Sequence, residues 1–190
     1  DSASVLAARG FQPPEEASAI VLQPNGFRIA NVSLTGKSCG YIVYLPAGEL
    51  ANFAASLNIP QADAEAVRTV RIENGKPRYG EEITDRYLVQ ETGRMDLVSF
   101  SKGCYLGQEI VERVRSRGQV HRHLKRVDIQ DVTPPPAGAK LTLAGKDSGE
   151  LVSSVYSPDA GHCVGFAYVR TDAAKPGTQL ALGDVAVQVN

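Results

Sequence analysis

The sequence predicts an α+β body followed by a small β-barrel or sandwich, with the boundary near Val120. Three observations carry that reading. Apolar residues recur at helical spacing in "AGELANFAASL" (Leu50, Phe53, Ala54, Leu57) and again after Gly103. An Asn-Gly turn joins two apolar runs in "SAIVLQPNGFRIANVSL". Beyond Val120 the pattern changes to six short strand-like runs, each bounded by turn residues.

Element by element, the Pro24-Asn25-Gly26 turn makes a hairpin and "GYIVYLP" a third strand. A helix follows over "AGELANFAASL". A second is expected over "DAEAVRTVRIENG", with Asp63 as its cap and Gly75 as its stop. "KPRYGEEITDRYLVQETGRMD" has no sustained period and reads as an ordered loop. A helix then runs from Gly107 to Arg117, with Leu106, Ile110, Val111 and Val114 as one apolar stripe. Its acids come early and its arginines late, as the helix dipole favours, and Gly118 fits the stop. The six later strands are "RHLKRVDIQ", "AKLTLAG", "ELVSSVYS", "CVGFAYVR", "TQLAL" and "DVAVQV". Turns at Pro134-Pro135-Pro136, Ala144-Gly145, Pro158–Gly161 and Pro176-Gly177 separate them.

The 190 residues suffice for one large domain or two small ones, divided here as 1–119 and 120–190. With 43% hydrophobic and 22% charged residues, a buried core is expected. A net charge of −1 argues against a general nucleic-acid binder, DNA included. No apolar run is long enough for a bilayer. The opening "DSASVLAARGFQ" lacks the order of a secretory signal. It also lacks an initiator methionine, so a processed form or a fragment is expected. Cys39, Cys104 and Cys163 are odd in number and far apart, which fits neither a disulfide framework nor a metal-ligand spacing. A reducing, cytoplasmic setting is the simplest reading.

Charge is uneven along the chain. Between Lys102 and Arg126 stand seven Lys/Arg and two acids, a net +5, while the remainder carries −6. The run from Arg113 to Arg126 is either a solvated face or the seat of a polyanion, such as a folate polyglutamate tail or RNA phosphates. Repulsion from the acidic remainder favours a small polyanion over long RNA.

"TGKSCG" ends like a phosphate-binding loop, but that loop needs a glycine where Asn31 stands, and the reading is discarded. Cys104 carries more information. A free cysteine is most often a small buried hydrophobe. This one follows Lys102 by two residues and precedes a helix N-terminus, and both features stabilise a thiolate. Glu73, closing its helix, is either a solvated carboxylate or a fork that accepts two adjacent N–H donors from a heterocycle.

"KGCYLGQEIVER" resembles the K-G-C-[FY]-x-G-Q-E-x-x-x-R signature of the YgfZ-type folate-binding proteins, relatives of the glycine cleavage T-protein (aminomethyltransferase). "VRIENGKPRYGEEI" is similar to the family's R-x-E-x-G-x-P-x-x-G stretch, and "TGKSCGYIVYLPAGELANFAASL" to its T-G-x-x-x-G-[YF] strand and helix. "SGELVSSVYSPDAGHCVGFAYVRTDAAKPGTQL" is similar to its C-terminal barrel pattern. Nearly the whole chain is covered, aligned with the later part of such proteins; roughly the first hundred residues of a typical member are expected to be missing.

The resemblance implies part of a ferredoxin-like-type α+β body, a C-terminal antiparallel β-barrel, and tetrahydrofolate as cofactor. It assigns Glu73 to the pterin and Cys104 to iron–sulfur cluster assembly or repair, and through that to tRNA modification. Lys102 stands with Cys104, while Gln108 and Arg113 stand with the folate. Folate and iron–sulfur proteins are the implied partners. Two departures weigh against the enzymatic alternative, a folate-dependent aminomethyltransferase. The T-protein's acidic T-G-E-D-G-[FY]-E pattern is replaced after Thr35-Gly36, and T-proteins lack the cysteine signature. A second alternative is an RNA-binding module using residues 113–126.

Overall fold

A computed structural model describes residues 1–36, 40–118 and 120–190; of Arg117 only the backbone is described. Lys37, Ser38 and Cys39, the middle of "TGKSCG", lie outside the described residues. Contacts gather the chain into two compact units, Asp1–Lys76 and Pro77–Asn190. The class is mixed α+β with a closed antiparallel barrel.

In the first unit, α1 (Ser2–Ala7) opens under the Asp1 carboxylate, which accepts from the Ser4 amide at 2.8 Å. Strands β1 (Ile20–Leu22), β2 (Arg28–Asn31) and β3 (Tyr41–Tyr44) form an antiparallel sheet in that order. The β1–β2 turn is the Asn-Gly turn: Asn25 Oδ1 accepts from the Phe27 amide, and Gly26 takes φ 84°, a region only glycine enters freely. α2 (Leu50–Leu57) follows, then α3 (Ala64–Glu73). Asp63 caps α3 as its side chain predicts, accepting from Ala66 N at 2.7 Å. Ile29 and Ile72 are fully buried. Phe11, Phe27 and Phe53 pack together with ring centroids 5.6–6.0 Å apart, joining the strand layer to α2.

The second unit begins with an irregular segment, holds α4 (Gln108–Arg117) and ends in the barrel. Its strands are β4 (Arg122–Ile129), β5 (Lys140–Leu143), β6 (Lys146–Ser157), β7 (His162–Arg170), β8 (Gln179–Leu182) and β9 (Val185–Val189). They close in the order β4-β7-β6-β5-β8-β9, with β9 returning to β4. The first barrel strand opens at Arg122, and the compact unit that holds it begins at Pro77. Inward positions alternate along each strand, as period two requires: Val127 and Ile129, Leu151, Ala167 and Val169, Val187 and Val189 are all fully buried.

Strands β6 and β7 approach closely at a register shift between Leu151 and Ser153. There a Cβ on Gly165 would lie 2.2 Å from the Ser153 carbonyl oxygen, backbone that has no room to yield. Gly165→Ala is expected to destabilise the protein by about 1–3 kcal/mol, as overpacking does. Denaturant unfolding checks this; an unchanged midpoint would contradict the close approach.

Candidate functional site

The signature cysteine lies on a loop framed by short-range contacts. Arg94 clasps Asp96 with two bonds of 2.9 and 2.7 Å, at the start of the 3-10 turn Met95–Leu97. The chain then runs exposed from Ser99 to Cys104, and Gly107 enters α4 at φ 88°. Gln90 Nε2 donates to the Val111 carbonyl at 3.0 Å and ties the helix to the upstream loop. Cys104 is a free, exposed thiol. Cys163 is fully buried in β7, and burial, with Asp131 adding to it, pushes its thiol up from the ordinary range.

The neighbours expected to serve Cys104 are engaged with other groups. The Lys102 ammonium sits 4.6 Å from the centroid of the Tyr105 ring, a cation–π contact. Arg113 pairs with Glu109 at 2.6 Å across one turn, both mostly exposed. Arg115 lies 4.2 Å above Phe100 and 3.6 Å from Glu112. Gln108, first residue of α4, is half-buried. The expected apolar stripe is not a core face. Leu106 precedes the helix and is fully exposed, and Ile110 is 56% exposed, while Val111 and Val114 are half-buried. Gly118 ends the helix with an extended backbone, φ −94°, rather than a left-handed one.

Glu73 is the last residue of α3 and half-buried. Two positions earlier, Arg71 is buried and donates to the Lys76 carbonyl at 2.7 Å, folding the R-x-E-x-G segment back on itself. The segment therefore places Glu73 at a helix end and ties Arg71 to the turn that follows. Glu73 lies in the first unit and Cys104, Lys102, Gln108 and Arg113 in the second.

A second constellation, on the outer face of the barrel, escaped sequence reasoning. Tyr168 of β7 stacks on Tyr87 with centroids 3.5 Å apart and planes 13° from parallel. The Arg122 guanidinium lies 4.8 Å from the Tyr87 ring and 5.9 Å from that of Tyr168. Arg122 Nε donates to Glu91 Oε1 at 2.8 Å, and the other Glu91 oxygen accepts from the Leu88 amide. Tyr168 Oη donates to the Glu82 carbonyl, whose side chain in turn takes the Arg78 amide. The only sequence signal is the alternation in "FAYVR", which puts Tyr168 and Arg170 on one strand face.

Burial is the main cause that pushes the Tyr168 phenol up, with Tyr87 and Glu91 adding to it; burial likewise raises Tyr87. A phenol raised in the folded state stays protonated after its unfolded counterpart, near pH 10, has ionised. Its contribution to stability is therefore complete below that pH and is lost as pH rises through the folded value. An absorbance titration of the phenolate band should rise in more than one step, the last of them set by Tyr168, and Tyr168→Phe should remove it. A single transition for all seven would contradict the stacked, buried pair.

Among the described residues, no helix is long and apolar enough to cross a membrane and no three His, Cys, Asp or Glu side chains gather as a metal site.

Fold and site define a mixed α+β protein whose barrel carries a polar, aromatic patch outside and whose signature thiol is open to solvent. Residues 122–187 match the family model described as the glycine cleavage T-protein C-terminal barrel domain. That match runs from the first residue of β4 into β9 and so spans the barrel strands. An aminomethyltransferase of Koribacter versatilis is 29% identical over 172 residues, 85% of this chain and 43% of the relative. An iron-sulfur cluster assembly factor IBA57 homolog, mitochondrial, of Coccidioides immitis is 31% identical over 121 residues, 60% of this chain and 28% of the relative. The chain thus spans less than half of either relative. In fold it is similar to the crystal structure of glycine cleavage system aminomethyltransferase T from Bartonella henselae. The TM-score is 0.86 at 21% identity, over 99% of this chain and 55% of that one.

Proposed function

We propose that this chain is a tetrahydrofolate-binding protein of the YgfZ type that serves iron–sulfur cluster assembly or repair and, through it, cluster-bearing tRNA modification enzymes. The observation that carries the reading is Cys104: a free thiol, exposed, at the centre of the K-G-C-Y-x-G-Q-E segment. A structural cysteine would be buried, as Cys163 is. The relative named as a cluster assembly factor supports the same reading. In it Glu73 anchors the pterin, since a carboxylate accepts from a ring N–H and an exocyclic amine side by side. Gln108 and Arg113 are assigned to the remainder of the folate, Arg113 by exchanging Glu109 for a folate carboxylate, and Lys102, resting over the Tyr105 ring, is the cation nearest to the thiol in sequence.

Relatives named aminomethyltransferase support the alternative of a one-carbon transferase. Cys104 separates the two, because aminomethyl transfer has no need of a thiol. The RNA-binding alternative is weakened by the state of the basic run. Arg113, Arg115 and Arg126 each lie within 4.0 Å of an acid, at 2.6, 3.6 and 3.1 Å, which leaves less free charge along that run for a long chain of phosphates.

Calorimetric titration with tetrahydrofolate tests the folate half of the reading. Saturable binding is expected, and Glu73→Ala should weaken it about tenfold or more, the loss of one charge-assisted contact of roughly 1.5–3 kcal/mol. Wild-type affinity in Glu73→Ala would remove that residue from the site, and no saturable heat from the wild type would remove folate from the reading of this chain.

A further inference from the structure

We infer that a cavity on the outer face of the barrel is a binding site for a phosphate-class dianion, taken as free phosphate or as the head of a phosphate monoester. The cavity measures about 300 Å³ and is walled by Arg86, Arg122, Lys140 and Arg170, with Asp147 and Glu150 among them. Strand register places these groups. Lys140, Glu150, Tyr168 and Leu124 stand directly opposite one another across four neighbouring strands, and Arg170 faces Arg122 two positions further along. Residues two apart share a face, so the whole set projects outward together.

Two features point to an anion. Like charges directly opposite each other on paired strands repel, yet Arg122 and Arg170 occupy such a pair. Glu91 relieves only part of this: it takes Arg122 Nε, and among the described residues the two outer nitrogens of that guanidinium have no acceptor. Arg170 is scarcely engaged either, with Nε 3.8 Å from Asp172 and a side chain 65% exposed. The second feature is the supply of donors in the wall. Four cations stand there with Asp147 and Glu150, and although Glu91 and Asp172, paired with Arg122 and Arg170, balance the formal charge, these two guanidiniums keep N–H donors to spare for an anion.

Glu150 is already committed, accepting from Lys140 at 2.8 Å and from Arg86 at 2.9 Å, so it orders these two cations at the rim. The stacked tyrosines supply a rigid floor that fixes Arg122 in place. Donors therefore converge from several directions, which suits a tetrahedral oxyanion better than a planar carboxylate that one guanidinium fork can satisfy. Arg170 also borders a second hollow of about 620 Å³ with His121 and His123 on its wall, room for the organic part of a monoester.

Amide NMR titration of the whole chain with inorganic phosphate, at constant ionic strength, tests the site, with succinate as the dicarboxylate control and glycerol 3-phosphate as the monoester. Saturable shifts are expected at Gly149, Tyr168 and Arg170 with both phosphates, and weaker ones with succinate. Arg170→Gln, an exposed change that leaves the Glu91 pair intact, should weaken phosphate binding about tenfold or more, and Arg170→Lys by less. Lys140→Gln provides a second, independent variant on another strand. Tighter binding of the monoester than of phosphate would identify the head-group source. The inference is overturned by shifts that do not saturate, by succinate binding as tightly as phosphate, or by both substitutions leaving the affinity unchanged. Because every probe here lacks folate, failure of this site leaves the proposed folate function standing, and the reverse also holds.

Discussion

Cys104→Ser abolishes the support of iron–sulfur enzymes in a complementation assay while leaving the fold and any tetrahydrofolate affinity as they were: that is the expected result if the thiol is the working group. The side chain is exposed, so the substitution costs the structure little. Iodoacetamide should label Cys104 well before Cys163, which is sealed in the barrel and whose thiol is held up by burial. Lys102→Ala should release Tyr105 from its cation and reduce complementation less than the cysteine change does. Full complementation by Cys104→Ser would leave an exposed cysteine with no task and would favour the transferase reading.

Glu91→Ala should be the most destabilising substitution in the segment before α4. Its side chain is only 9% exposed and holds two donors, the Leu88 amide and Arg122 Nε, while its carbonyl takes the Leu124 amide of β4. Removing the carboxylate strands a half-buried guanidinium beside Arg170 as well as an amide. The expected cost is about 2–3 kcal/mol, below the figure for a fully buried pair because Arg122 is 38% exposed. Thermal unfolding should fall by roughly 6–9 °C. Glu91→Gln keeps an acceptor for Leu88 and should lose less. A change under about 1 °C for the alanine variant would mean that the pair is ornamental.

What could be read from the residues follows from the range of the forces involved. The six barrel strands and their turns were legible because alternation and turn chemistry are local: Ala144 and Gly145 both take positive φ, as a two-residue hairpin turn requires. Asp63 capping α3 is equally local. The segment from Lys76 to Asp96 reads only as ordered, since its order comes from distant partners. Tyr168 reaches Glu82 across 86 positions and Arg122 reaches Glu91 across 31, and no period announces either. The six-residue α1 buries only Leu6, too little for a pattern. At the candidate site the residue types were legible and their pairings were not. Lys102 turned to an aromatic ring and Arg113 to a helix neighbour, contacts won by geometry one turn or less away.

The return of β9 to β4 has a consequence for how the protein is made. Val127 meets Val189 and Ile129 meets Val187, so the ring of strands joins residues about sixty positions apart. On the ribosome β4, β5, β6 and β7 emerge first, and until Val185–Val189 clear the exit tunnel they can form only an open sheet with unpaired edges at β4 and β5. Closure must wait for the most distant pairing, which is also the entropically slowest. The nascent chain thus passes through a brief stage in which sheet edges are open to other chains, and it is there, rather than in the finished barrel, that a trigger factor or holdase would be of use.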